Sequence, residues 1–354
     1  MQKEQLAFLN AMLETPSVSG FEQPVARIVR ERMKDCADEI TTDIHGNTIV
    51  ALNPKGSPRV MLAGHYDQIG LMVQYITDEG YLTFTTVGGI DATVLPGSRV
   101  TVHTRKGTVE GIIGRKPIHL MKPEERNQAK IELNELWIDI GARDKKEAAK
   151  WVSVSDPVTY RLGVQRLGND FIVSPGLDDK VGTYVVMEAL RLASAKKMAC
   201  ALFAVGTVQE EIGLRGARTS CFGIDPLVGI AVDVCHASDN PGVEKKVAGE
   251  RGLGKGPVIE RGANINHVLC DLLIDTADKK KIAYQLSAAP GATGTDANAI
   301  QVSRSSVATA LIGIPNRYMH TPVEMCALSD LDASAKLIAE AVARITEKTS
   351  FIPQ

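Results

Sequence analysis

Apolar residues recur at helical spacing through residues 3–14 and again through EQPVARIVRERM, where Val25, Ile28, Val29 and Met33 make one face, so two amphipathic helices open the chain. Two β-branched and apolar runs follow, TIVALN and RVMLAGH, divided by the turn residues of NPKGSP; this predicts a hairpin or a near-neighbour pair of strands. From about Gly70 to Asp156 the texture changes to strand and turn, in IGLMVQYI, YLTFTTVGG, RVTVHTRKGTVEGIIG and IELNELWIDIG, with no long helical period. Such a block predicts a β-rich module set into a helix-and-strand chain. Alternation resumes after FIVSPG, where Val181, Val185, Ala189 and Leu192 fall on one face of a helix beginning near Asp179. CALFAVGTV, LVGIAVDV and SVATALIGI are apolar nearly throughout, as central strands are when helices cover both faces of a sheet. A closing helix carries Leu331, Ala335, Ile338, Val342 and Ile345 as a stripe that excludes Glu340, Arg344 and Glu347. The expected fold is α/β, a three-layer arrangement around one sheet.

Length and composition narrow the function. At 354 residues the chain exceeds one ordinary domain of about 150, so one large or two modest domains are expected. Lys and Arg number 40 against 42 Asp and Glu, a net charge of −2, and no dense basic block occurs. A phosphate backbone has nothing to grip, which argues against a nucleic-acid partner. Charges and Gln interrupt the only apolar stretch of MQKEQLAFLNAMLETPSVSG, unlike a secretory signal. No run approaches the ~18 apolar residues of a membrane span, so a cytoplasmic protein without a membrane partner is expected. Cysteines 36, 200, 221, 235, 270 and 326 are scattered without C-x-x-C spacing, which predicts reduced thiols rather than a zinc knuckle or redox pair.

Candidate chemistry gathers where apolar strands end, the place where open α/β sheets bind ligands. RVMLAGHYD closes on His65 and Asp67, two residues apart and so on one side of an extended chain; one can bind a metal while the other orients the imidazole. A hydrogen-bonded core histidine is the plain alternative. SPGLDDKVG offers Asp178 and Asp179 before a helix, where either could simply cap it. AVGTVQEEIGLRGA ends in Glu210 and Glu211, like charges that repel unless a cation is near; one can ligate it while the other acts as a general base, although a solvated pair would look the same. Asp233 lies inside the apolar strand of IAVDVCHASD, where an unpaired carboxylate is expensive, and His320 stands just beyond SVATALIGI in a loop bounded by prolines. Together these sites predict a dinuclear metal centre. Oxygen and imidazole donors without thiolate suit Zn, with Co or Mn as alternatives.

The segments GHYDQIGLMV, PGLDDKVG, VQEEIGLRGA, DVCHASDNPG, GTDANAI and IPNRYMHTPVEM resemble, in order and approximate spacing, the motifs of the M42 family of metalloaminopeptidases. That resemblance implies an α/β catalytic domain over 1–69 and 166–354 with two divalent metal ions per subunit, interrupted at 70–165 by a small β-barrel or PDZ-like dimerisation domain. It implies a homo-oligomer built from dimers, up to a tetrahedral dodecamer. Carried over by position, Asp178 bridges the two metals, His65 and Asp233 complete one site, and Glu211 and His320 the other. Glu210 is the general base, Asp67 holds the His65 tautomer, and the Asp178–Asp179 peptide is cis. The implied activity is hydrolysis of the first peptide bond of short peptides with a free amino terminus, through a bridging water activated by the metals. The same ligand set would also serve a deacylase or carboxypeptidase. Tyr66 and Gln68 stand where many members have Met and Glu, and Gln301 where His is frequent, which places these departures at the pocket rim. His119, His236 and Arg317 are further residues that could approach the site.

Overall fold

A computed structural model describes residues 1–123 and 130–353 of the chain. Its strands are β1 (Glu39–Thr42), β2 (Thr48–Leu52), β3 (Arg59–His65), β4 (Gly70–Ile76), β5 (Leu82–Val87), β6 (Arg99–Thr104), β7 (Gly107–Arg115), β8 (Leu136–Asp139), β9 (Pro157–Tyr160), β10 (Gln165–Leu167), β11 (Phe171–Val173), β12 (Ala201–Thr207), β13 (Val228–His236), β14 (Val258–Gly262), β15 (Gln285–Ala289), β16 (Ala308–Asn316) and β17 (Met325–Ala327). Eight of them form a mixed sheet in the order β1-β2-β12-β3-β13-β16-β14-β15. The apolar runs read as central strands are β12, β13 and β16, and with β3 they lie parallel. Helices Leu177–Ser194, His267–Lys280 and Leu328–Val342 pack on strands of the sheet, Leu328–Val342 touching both of the others, and Lys3–Leu13 packs on Leu177–Ser194; Arg215–Ile224 and Asp296–Gln301 pack on strands β12, β3, β13 and β16 and on each other. Burying each Val, Leu or Ile of these strands contributes about 1.5–3 kcal/mol, which is why residues as apolar as Val60, Leu62, Ile230 and Ile312 occupy the middle.

The runs TIVALN and RVMLAGH are not a hairpin. Strand β12 lies between them, antiparallel to β2 and parallel to β3. A strand that is apolar along its whole length needs a hydrogen-bonded neighbour on both edges, and β12 obtains both by entering this gap from about 150 residues downstream, on the sequence separation of the strands.

Parallel alignment brings the carboxyl ends of four strands to one edge of the sheet. Thr207 pairs with His65 across β12 and β3, and Asp233 pairs with Gly313 across β13 and β16. The Leu177–Ser194 helix starts against this edge, and it can do so only because two glycines meet: a Cβ on Gly64 would lie 2.5 Å from the Gly182 carbonyl carbon. Val181, Val185 and Ala189 of that helix are fully buried, as their spacing predicts, while Leu192 is partly buried.

Strands β4-β5-β8-β7-β6-β9 close into an antiparallel barrel with its own core, including Leu71, Val73, Leu82, Phe84, Val100, Val102 and Ile138. Among the described residues it includes the short helix Lys145–Trp151, capped by the Asp144 side chain, which accepts from the Glu147 N–H. Strands β10, β11 and β17 make a separate antiparallel sheet that ties the chain after the barrel to the segment after β16. Among the described residues no helix is long and apolar enough to cross a membrane.

Candidate metal centre

The strand-end side chains converge into two triads that share one aspartate. His65 Nε2 faces Asp178 Oδ1 at 3.2 Å and Asp233 Oδ1 at 3.8 Å. His320 Nε2 faces the other Asp178 oxygen, Oδ2, at 3.2 Å and Glu211 Oε1 at 3.5 Å. Within each triad the donor atoms lie within 4.8 Å of one another, close enough to surround a single cation. Glu211 Oε1 is buried and, among the described residues, accepts no hydrogen bond, which is costly for a carboxylate oxygen unless something else engages it. The donors are carboxylate oxygens and imidazole nitrogens throughout, and this fits a pair of divalent cations. Glu210 lies beside the first triad, its Oε2 3.8 Å from His65 Nε2.

Surrounding groups fix each ligand. The Asp178–Asp179 peptide is cis, and the two aspartates part company there. Asp179 turns inward to accept from the N–H groups of His65 and Gly182, so capping falls to Asp179 while Asp178 faces the histidines. His65 Nδ1 lies 3.1 Å from the Asp67 main-chain carbonyl and 3.4 Å from its carboxylate. Both acceptors direct the Nδ1 proton toward residue 67 and leave Nε2 for the triad. The Asp67 carboxylate also accepts from Glu210 N–H, Glu211 N–H and Ser19 Oγ. His320 Nδ1 donates to the Gly89 carbonyl at 2.7 Å, so the barrel side of the chain sets this second tautomer. Glu324 accepts from the backbone N–H groups of Asp178 (3.0 Å) and His320 (2.8 Å), holding the latter at a left-handed φ of 61°.

Gly88, Gly89, Ser19, Asp296 and Glu324 were not singled out by the sequence pattern, although Glu324 lies in IPNRYMHTPVEM and Asp296 in GTDANAI. Gly88 is at φ +80°, and a Cβ there would sit 2.7 Å from Ile69 Cγ2 and 3.3 Å from Glu211 Oε2. Gly88→Ala is therefore expected to weaken cation binding at the Glu211–His320 triad by about 10- to 100-fold, the range for groups that orient ligands. It should also lose about 1–2 kcal/mol to the left-handed backbone. Calorimetric titration of the metal-free protein and chemical denaturation measure the two effects; unchanged affinity would mean the loop does not brace Glu211.

Burial and mutual charge set the proton affinities of these clustered groups in opposite directions. Burial pushes Glu210 up to about 10, helped by Asp233, Asp296 and Glu211 and opposed by His65. Burial likewise raises Asp233 and Asp179 well above the carboxylate range and raises Glu211. Glu324 is pushed up to about 8 by burial and then by the charge of Asp178. Asp178 goes the other way: burial opposes its charge, but hydrogen bonds from His320 and His65 outweigh it. His320 is raised to about 11 by Asp178 and Glu211, and His65 is raised because its surrounding carboxylates overcome burial.

A cavity of about 530 Å³ opens onto both triads and is lined further by His236, Arg251, Glu260 and the 288–295 segment. Of the additional residues named from sequence, only His236 reaches it. His119 is exposed in a short turn of residues 118–120, and Arg317 is held by a two-pronged ion pair to Asp239 at 2.8 and 2.7 Å. Arg317 is thus committed to structure. Tyr66 and Gln68 are buried rather than at a rim: Tyr66 donates to the Gly46 carbonyl, and Gln68 accepts from the buried Lys180. Gln301 donates to the Asn264 carbonyl and does not line the cavity.

Residues 46–337 match the family model described as M42 glutamyl aminopeptidase. A lysyl aminopeptidase of Pyrococcus furiosus is 38% identical, over 98% of this chain and 98% of its own. The structure of a TET aminopeptidase from a marine-sediment Thaumarchaeota archaeon superposes with a TM-score of 0.93 at 35% identity, covering 98% of this chain and 97% of that one. The Pyrococcus horikoshii TET1 peptidase, described as able to assemble into a tetrahedron or a large octahedral shell, superposes with a TM-score of 0.86 at 33% identity, over 96% of this chain and 100% of that one.

Proposed function

Because this chain belongs to the M42 aminopeptidase family, a family of metal-dependent hydrolases of peptide bonds, we propose that it removes the first residue of short peptides through a centre holding two divalent cations. The observation that carries this reading is Asp178, which presents one oxygen to each histidine and belongs to both triads. In this reading His65, Asp178 and Asp233 hold one ion, and Asp178, Glu211 and His320 hold the other. The ligand chemistry favours zinc, with cobalt or manganese as substitutes.

Bound cations would supply Lewis acidity, polarising the scissile carbonyl and making water acidic enough to ionise near neutral pH. Glu210 takes the proton of the attacking water and returns it to the leaving amine, which converts a poor leaving group into a neutral one. Its position beside the first triad, with Oε2 3.8 Å from His65 Nε2, suits a group that accepts a proton at the centre and then donates it. Asp67 serves by orienting His65 and by holding the amides of Glu210 and Glu211. The carboxylates around the cavity give a free substrate α-ammonium a place to bind, and this confines cleavage to the first bond.

The chain divides, in this reading, into a catalytic domain of residues 1–69 and 166–354 and an inserted domain of 70–165 that serves dimerisation. Homo-oligomers follow, with the tetrahedral assembly described for the Pyrococcus horikoshii relative as the model. Acetylating the substrate's amino terminus is expected to abolish hydrolysis of a peptide that the metal-loaded enzyme otherwise cleaves. Paired assays of free and acetylated peptides check this, and a preference for the acetylated form would point to a deacylase instead.

A further inference from the structure

Three consecutive backbone N–H groups, those of Gln209, Glu210 and Glu211, are each held by a buried carboxylate. Glu210 and Glu211 donate to the two oxygens of Asp67 at 3.0 and 3.2 Å. Gln209 donates to Glu22 Oε1 at 3.2 Å. Gln209 has φ +56°, a left-handed conformation that a side-chain-bearing residue keeps only when its surroundings hold it.

Glu22 comes from the segment between the first two helices, far from every ligand in sequence. It stands at the N-cap of the Gln23–Met33 helix but makes no capping bond to it. Its carboxylate is 3% exposed and spends its hydrogen bonds on Gly20 N–H, at 2.7 Å, and on Gln209. The same segment is fastened to the His65 strand end from the other side: Ser19 Oγ donates to Asp67 at 2.6 Å, and Gln68 N–H donates to the Ser17 carbonyl at 3.0 Å. A buried carboxylate is costly unless its oxygens are engaged, and here an acid that could have capped its own helix reaches across to the turn before Glu210 instead.

We propose that Glu22 is a positioning residue for proton transfer: by holding the Gln209 amide it fixes the left-handed turn that aims Glu210. This rests on the reading of Glu210 as the general base. A misplacement of about 1 Å in a reacting group can lower turnover by about 10²-fold, so a small relaxation of this turn is enough to matter.

Glu22→Ala leaves both amides unpaired; Glu22→Gln keeps an oxygen acceptor; Glu22→Asp keeps the charge and shortens the reach. In the metal-loaded enzyme Glu22→Ala and Glu22→Asp are expected to lower kcat by about 10- to 100-fold with KM within about twofold of the parent and cation content unchanged, while Glu22→Gln restores most of kcat. Combined with Glu210→Gln, Glu22→Ala should cause no further loss, because the group it aims is already gone. Parental kcat in Glu22→Ala, or a full additional loss on the Glu210→Gln background, overturns the proposal. Should Glu22→Ala not fold, parental kcat in Glu22→Asp overturns it equally. Parental kcat in Glu210→Gln sinks the general-base reading itself, whereas an inactive Glu210→Gln beside a fully active Glu22→Ala sinks the positioning role alone.

Discussion

Glu210→Gln is expected to lower kcat by about 10²- to 10⁴-fold while cation content and thermal stability stay at the parental level, the contribution usual for a positioned general base. The substitution is nearly isosteric and leaves the turn intact, since Glu210 N–H bonds to Asp67 and the Glu210 carbonyl accepts from Gly213 and Leu214 N–H. Neither of the two donor triads contains Glu210, so the cations should remain. What disappears is the only change made: a carboxylate that can take a proton becomes an amide that cannot. Elemental analysis beside steady-state kinetics separates the possibilities. A metal-replete variant with parental turnover would remove Glu210 from the mechanism, and a metal-depleted one would move it into the ligand set.

Much of the scaffold around this residue is legible before any coordinates, for a physical reason. Strands β12, β13 and β16 are covered on both faces, so their sequences must be apolar throughout, and such runs stand out. A polar residue at the end of, just beyond, or inside a run of that kind is conspicuous for the same reason, which is how His65, Glu210, Glu211, Asp233 and His320 come to notice, whereas Asp178, at a helix start, reads equally as a cap and takes its bridging role only from the family resemblance. The missing parts have no local signature. Strands β14 and β15 are short and carry Glu260, Arg261 and Ser287, and helices Arg215–Ile224 and Asp296–Gln301 are too brief for a periodic pattern to emerge. The order β2-β12-β3 is set by a strand far downstream, and no turn sequence encodes it.

Supporting groups are hidden more deeply. Glu324 and Glu22 accept from backbone amides, Gly89 accepts through its carbonyl, and Ser19 donates its hydroxyl to the Asp67 carboxylate, each to a residue 4 to 231 positions away. A main-chain acceptor such as the Gly89 carbonyl has no side chain to read. Glu22 and Glu324 look like ordinary surface acids in a chain with 42 Asp and Glu, and only their burial reveals that they hold the site. Residues proposed to touch the chemistry can thus be noticed from polar positions at strand ends, while those proposed to aim them emerge once distant segments are brought together.

Asp178→Asn is expected to have the largest effect, because it changes the one side chain that both triads require. An amide offers a single oxygen, so at most one of the two positions now filled by Oδ1 and Oδ2 keeps a donor, and its NH2 group faces the other histidine's Nε2 or a cation. Cation stoichiometry should fall below two per subunit, and activity should drop further than the about 10- to 100-fold typical of groups that merely orient ligands. Stability reports the same event independently. A ligand at a hundredfold excess over its Kd stabilises the folded state by about 2.7 kcal/mol per site, so chelation should lower the melting temperature of the parent. It should lower that of Asp178→Asn by much less, since less is bound to remove. Elemental counting and melting curves with and without chelator test both halves. Two cations retained, with an undiminished response to chelation, would show that the ions are held without a shared aspartate, and the two-cation reading built on Asp178 would fall with it.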